Sequence, residues 1–120
     1  ASLGTFEAKA ADLRARMDIV RLLHAGPKPT IAMVNGVAAG AGLGLALACD
    51  MRLAGTSARM TSAFAKVGLS GDFGGTWFLN QLVGPARARE LYYTSEILDA
   101  DRIAALGLAK SVLGSFLVIT

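Results

Sequence analysis

Apolar positions recur with a helical period over residues 6–24. Leu13, Met17 and Val20 fall on one stripe, while Arg14, Arg16, Asp18 and Arg21 lie elsewhere. That is the pattern of an amphipathic helix. Gly26-Pro27-Lys28-Pro29 stops it, because neither proline can continue a helix. Residues 30–34 are a short apolar run that reads as a buried strand. Residues 35–42 form a loop of small side chains, and residues 43–49 read as a short buried helix ending near Asp50. Residues 51–54 suggest a second strand, residues 56–62 a polar connection, and residues 63–67 either strand or turn. A second glycine-rich loop spans residues 68–75, and helices are predicted over residues 76–82 and 85–93, the latter with Pro85 at an early position. A compact helix follows, with Asp99 as N-cap and Gly107 as its stop. Residues 109–113 and 116–119 finish as short strands. Strand and helix alternate, so the pattern predicts one α/β layer with a largely parallel, buried sheet. No linker divides residues 1–120, and no repeat of fixed period is present.

Composition narrows the class. The 120 residues are 53% hydrophobic and only 18% charged, which is globular and too apolar for disorder. So apolar a chain implies burial against further chain or a partner subunit. The net charge of +3 comes from scattered Arg and Lys, with no basic run, so no nucleic-acid partner is expected. The positive balance does suit an anionic small ligand. Cys49 is the only cysteine and His24 the only histidine. No internal disulfide, Cys cluster or His-based metal site or triad can form, so no metal is expected. The lone cysteine favours a cytoplasmic location, and His24 reads as a residue near a helix C-terminus. The first residues lack the basic start and apolar block of a signal peptide. Residues 29–49 carry no charge and are long enough to span a bilayer, but they contain Asn35-Gly36 and three further glycines. A buried strand–loop–helix is the expectation, with no membrane span.

Two loops could carry chemistry. In the first, Gly40, Ala41, Gly42 and Gly44 stand between a strand and a helix. Small residues let a ligand approach the backbone, and the unpaired N–H groups of a helix start suit a phosphate or an oxyanion. The loop is neither a P-loop nor a dinucleotide fingerprint: no Gly-Lys-Ser/Thr follows, and Leu45 stands where the third glycine belongs. Tight packing of helix on sheet explains the glycines equally well. In the second loop, Asp72 lies between Gly71 and Phe73-Gly74-Gly75. It reads as a turn or N-cap residue, or as a carboxylate beside an apolar pocket of Phe64, Phe73 and Trp77. Desolvation in such a pocket raises a carboxylate's pKa towards the range useful for proton transfer. Gly68-Leu69-Ser70-Gly71 is not a nucleophile elbow, since its second glycine falls one residue early. Tyr92 and Tyr93 read as core edge.

Three segments, in order, resemble the crotonase (enoyl-CoA hydratase/isomerase) superfamily. They are Lys28-Pro-Thr-Ile-Ala-Met-Val-Asn-Gly-Val-Ala-Ala-Gly-Ala-Gly-Leu-Gly-Leu-Ala-Leu-Ala-Cys-Asp50, Gly68-Leu-Ser-Gly-Asp-Phe-Gly-Gly-Thr-Trp77 with the following Leu82-Val-Gly-Pro-Ala-Arg-Ala-Arg-Glu-Leu91, and Ile97-Leu-Asp-Ala-Asp-Arg-Ile-Ala-Ala-Leu-Gly-Leu-Ala109. The resemblance covers about residues 28–113 and leaves residues 114–120 as an unassigned strand. It implies a spiral of ββα units of which only the central part is present. It further implies assembly as a homotrimer or dimer of trimers, and action on acyl-CoA thioesters, with coenzyme A part of the substrate and no separate cofactor. Such enzymes hold the thioester oxygen between two backbone N–H groups. One maps onto Ala41, and the other comes from a loop upstream of residue 1. Gly40, Gly42, Gly44, Phe64, Leu69, Phe73, Gly74 and Trp77 map around the substrate pocket.

Two departures shape the expected chemistry. The glutamates with which the family's hydratases activate water correspond to Gly44 and Phe64, so hydration is expected in name only. Asp72 stands where the branch resembling epoxyphenylacetyl-CoA isomerases carries a catalytic aspartate followed by Gly-Gly-Thr-Trp. The resemblance therefore implies an isomerase that moves a double bond or opens a ring epoxide through Asp72. Its alternatives are an acyl-CoA dehalogenase with Asp72 as nucleophile, or a non-catalytic CoA-binding or assembly subunit.

Overall fold

The computed structural model describes residues 4–69, 71 and 73–112. Asp72 and the expected strand over residues 116–119 lie outside the described residues.

The first helix, α1, spans Phe6–Ala25. The Thr5 hydroxyl accepts from the Ala8 N–H at 3.0 Å and caps its start, and the prolines at 27 and 29 follow its end. Val20 is the residue of α1 that is buried, whereas Leu13, expected on the buried stripe, is 42% exposed. Only the last turns of α1 lie on the rest of the chain, through Val20 and Leu23.

Strands β1 (Ile31–Val34) and β2 (Val37–Ala39) lead into helix α2 (Ala41–Ala48). Strands β3 (Met51–Ala54) and β4 (Arg59–Thr61) repeat the step. A 3-10 turn over Ala65–Val67 and helices α3 (Gly75–Val83), α4 (Pro85–Thr94) and α5 (Ala100–Ala105) follow, before strand β5 (Lys110–Ser111). All the pairings between named strands are parallel. One sheet runs in the order β1-β3-β5, with Ile31 opposite Met51 and Leu53 opposite Lys110. The other pairs β2 with β4, Val37 opposite Arg59. Each turn of chain therefore lays one strand on each of two sheets before crossing over, which is a spiral of ββα units.

Two expectations change here. The small-residue loop contains β2, and the polar connection contains β4. Each is three residues long and formed by long-range pairing, β2 with β4 and Met60 of β4 also with Leu98, so neither has the alternation that announces a strand. Residues 63–67, ambiguous in sequence, are a turn, with Ala63 at a φ of 63°. The sheet expected to be buried on both faces is covered on one: Ile31, Met33 and Met51 are about half exposed.

The core sits around α2, whose Leu43, Gly44, Ala46, Leu47 and Ala48 are all buried. A helix that is apolar all round belongs in the interior. Met60, Leu79, Ile103 and Leu108 complete the core at 1% exposure or less, and truncating any of them to alanine would cost about 2–5 kcal/mol. Residues 29–49 fold as strand, strand and helix, and no helix among the described residues is long and apolar enough to cross a membrane.

Candidate functional site

The first loop turns the chain from β2 into α2 at Gly40, whose φ of 55° and ψ of −121° favour glycine. Its N–H donates to the Thr61 carbonyl at 3.1 Å, and its own carbonyl accepts from the Gly44 N–H at 3.1 Å. That second bond is the first of the helix. The amides of Ala41, Gly42 and Leu43 precede it and have no acceptor inside the helix. No side chain caps this end. A Cβ placed on Gly42 would meet nothing within 4 Å among the described residues, so the space beside Gly42 is open. The positive end of the helix dipole lies behind them.

Phe64 borders this loop. It is buried, and a Cβ on Gly40 would stand 3.7 Å from its ring. Its carbonyl accepts from the N–H groups of Val67 at 3.1 Å and Leu69 at 2.9 Å, which fixes the start of the second loop. The Leu69 side chain itself is exposed.

The second loop then makes an unusual turn. Gly71, Phe73 and Gly74 have φ values of 110°, 52° and 70°. Glycine adopts these angles freely, but Phe73 carries a left-handed penalty of about 1–2 kcal/mol. The turn crosses directly over α2: a Cβ on Gly44 would stand 2.6 Å from the Phe73 carbonyl oxygen and 3.0 Å from its Cβ. Gly74 is the N-cap of α3. Position 72 therefore lies two residues before the cap, and the N-cap reading of Asp72 does not hold.

Gly40, Ala41, Gly44, Phe64, Phe73 and Gly74 thus come together where the two loops meet. Gly42 lies on the open side. Trp77, expected in the same pocket, is turned by α3 to the other end of α2. Its ring packs against His24 at 5.5 Å and Phe78 at 5.1 Å, beside Leu47, Cys49, Asp50 and Arg52. His24, as expected, lies in the last turn of α1.

Tyr92 packs at the edge of the core, as its sequence reading expected, and its ring also borders the site. Its ring stacks on Phe64, centroids 6.3 Å apart and nearly parallel at 4°. Only the docking of α4 brings it there, and no local motif marks it. The described walls of the site are otherwise backbone and apolar side chains. Arg52, half-buried, lies elsewhere, at the far end of α2, and its pKa is lowered from its ordinary value by that burial. A groove of about 360 Å³, lined by Ile19, Leu23, Met33, Val37 and Leu45 with Asn35 and Cys49, includes none of the site residues. No group of residues among those described could hold a metal ion.

Comparison with known proteins bears on this arrangement. The family model described as enoyl-CoA hydratase/isomerase matches residues 4–118. A crotonyl-CoA hydratase from Syntrophomonas wolfei is 42% identical over 94 residues, 78% of this chain and 36% of that protein. A 1,2-epoxyphenylacetyl-CoA isomerase from Escherichia coli is 46% identical over 94 residues, with the same coverage of 78% and 36%. The crystal structure of a putative enoyl-CoA hydratase from Thermobifida fusca, in complex with acetoacetyl-CoA, superposes with a TM-score of 0.86 at 35% identity, covering 90% of this chain and 42% of that one. The chain spans little more than a third of the length of the curated relatives it matches, and most of their names are hydratases.

Proposed function

We propose, from the premise that this chain belongs to the enoyl-CoA hydratase/isomerase family, that it forms the central part of an acyl-CoA isomerase. The observation that carries this reading is the crossing of the Phe73 backbone over Gly44. It brings the Phe73 backbone against α2 and leaves no side chain at position 44.

In this reading the Ala41 N–H donates to the thioester carbonyl oxygen of an acyl-CoA. As a proton leaves the substrate carbon, negative charge moves onto that oxygen, and a donor already aimed there stabilises it without reorganisation. The Asp72 carboxylate accepts the proton from one carbon and returns it to another, so the double bond moves with no net gain or loss of atoms. For a ring epoxide, the returned proton would go to the opening oxygen. Coenzyme A enters as part of the substrate and no separate cofactor is required. Assembly into trimers would supply cover for the half-exposed apolar residues of the β1–β3 face.

Hydration is the second reading, favoured by the names of most relatives. In it Asp72 would take its proton from water, which then adds across the double bond. The two readings separate in one experiment on the complete protein in heavy water. The isomerase should wash deuterium into the α or γ carbon of an enoyl-CoA. Asp72→Asn should slow that exchange by about a hundred- to ten-thousandfold. Unchanged exchange would sink the isomerase reading. Labelled oxygen from water appearing as a substrate hydroxyl would support the hydratase.

A further inference from the structure

We propose that Thr61 is a positioning residue for the first amides of α2, held in place by a buried hydroxyl network that ties the end of α4 to the turn at Gly40. The idea deepens the proposed thioester binding at Ala41 and rests on that reading for its catalytic consequence.

Thr61, Ser62 and Ser95 are the buried polar side chains among the described residues, each at 9% exposure or less. Burying a hydroxyl costs free energy unless it finds a partner, and the partners are present. The Thr61 hydroxyl donates to the Ser95 carbonyl at 3.1 Å. The Ser62 hydroxyl donates to the Leu91 carbonyl at 3.2 Å, and that carbonyl also accepts from the Ser95 N–H at 3.1 Å. The Ser95 hydroxyl, 3.5 Å from the Ser62 hydroxyl oxygen, completes the group with its longest contact. Ser95 closes α4 at a φ of 49°, and Ala63 turns the chain after Ser62 at a φ of 63°. Side chains other than glycine hold such angles only where their surroundings over-determine them.

The network reaches the site through one carbonyl. Thr61 is the last residue of β4, opposite Ala39 in the register with β2. Its carbonyl accepts the Gly40 N–H at 3.1 Å, where the chain turns into α2. A Cβ on Gly40 would stand 3.7 Å from the Ser62 carbonyl oxygen, so the turn also rests against this segment. Any displacement of Thr61 therefore moves Gly40 and, one residue on, the amide of Ala41. Packing alone does not call for a hydroxyl here, since valine has nearly the same shape and no polar group to satisfy. The hydroxyl adds direction, fixing β4 against the end of α4. Direction matters because an amide serves an oxyanion only when held within about 0.5 Å of the productive geometry.

The test uses Thr61→Val, Thr61→Ser and Ser62→Ala in the complete protein. Melting temperature, amide hydrogen exchange at Gly40, the carbonyl stretch of a bound acyl-CoA, and kcat and KM for substrate proton exchange are read for each. Thr61→Val should speed exchange at Gly40, return the stretch part of the way to its solution value, and lower kcat about tenfold with KM little changed. Thr61→Ser, which keeps the hydroxyl, should stay close to the parent on every readout. Should Thr61→Val fail to fold, Ser62→Ala, which loses only the neighbouring bond, should show the same changes at smaller size. A lowered melting temperature with exchange at Gly40 and the stretch both unmoved would overturn the proposal. So would Thr61→Ser falling as far as Thr61→Val. Faster exchange at Gly40 with an unchanged stretch and kcat would leave the seating intact and remove the Ala41 amide from the chemistry, so the two ideas fail separately.

Discussion

The two ends of α2 are built from opposite materials. At its C-terminal end nearly every polar group is tied down. Arg52 donates to the carbonyls of Cys49 at 2.8 Å and Leu47 at 3.3 Å, and reaches the Leu108 carbonyl with its Nε. Asp50 accepts from the Thr30 N–H at 2.8 Å, while the Thr30 hydroxyl accepts from the Asp50 N–H at 3.0 Å and donates to the Leu23 carbonyl. A cation on the last carbonyls also answers the negative end of the dipole. At the N-terminal end there is no capping side chain: Gly40 gives its N–H to the Thr61 carbonyl, and the amides of Ala41 and Gly42 have no acceptor inside the helix. The eight residues of α2 separate a stretch whose polar groups are tied down from one whose first amides have no acceptor inside the helix. Orphan helix amides cost nothing extra while water reaches them, and they are ready donors once a substrate replaces the water.

Substitutions at the two ends should therefore separate rate from stability. The largest effect is expected from Ala41→Pro. Proline is tolerated at the first position of a helix, so the fold should hold. The lost N–H should lower kcat for acyl-CoA proton exchange by about a hundred- to a thousandfold. An equal fall in melting temperature and rate would break the distinction. Arg52→Met makes the converse change: it keeps the apolar stem but strands the Cys49 and Leu108 carbonyls. Stability in a denaturant titration should fall by about 2–3 kcal/mol, while kcat of the folded fraction stays near the parent's. The smallest effect sharpens the contrast at the site's edge. Ala63, at a φ of 63°, should accept glycine with a gain of about 0.5–1 kcal/mol in the same titration, because no side chain there is asked to hold an angle that only glycine adopts freely.

The stable end was the more legible in sequence, and for local reasons. Gly26-Pro27-Lys28-Pro29 marked the end of α1, the uncharged run marked β1 and α2, and Asp99 caps α5 as its position suggested, accepting from the Arg102 N–H at 2.9 Å. Gly107 beyond it has the positive φ, 74°, expected of a helix stop. What escaped depends on distant pairing. β2 forms by pairing with β4, and β4 with β2 and with Leu98, and their three-residue runs carry no period. At the site, the glycines around Ala41 were readable because they precede a helix. Trp77 was misplaced because two residues of helix beyond Gly75 rotate it away from Phe64. Tyr92 lies at the core edge as read, whereas its neighbour Tyr93 is 76% exposed, and only the seating of α4 distinguishes them. The Gly71–Gly75 segment was visible as a motif, but the closeness of Phe73 to Gly44 is a fact of tertiary packing.

The central claim is that the open amides of α2 polarise a thioester carbonyl. Vibrational difference spectroscopy of an acyl-CoA with a carbon-13-labelled carbonyl, bound to the complete protein, tests it most directly. Hydrogen bonding at Ala41 should lower the carbonyl stretch relative to the free thioester, and Ala41→Pro should return it towards the solution value. A stretch unmoved on binding, or lowered equally in the proline variant, would contradict the account.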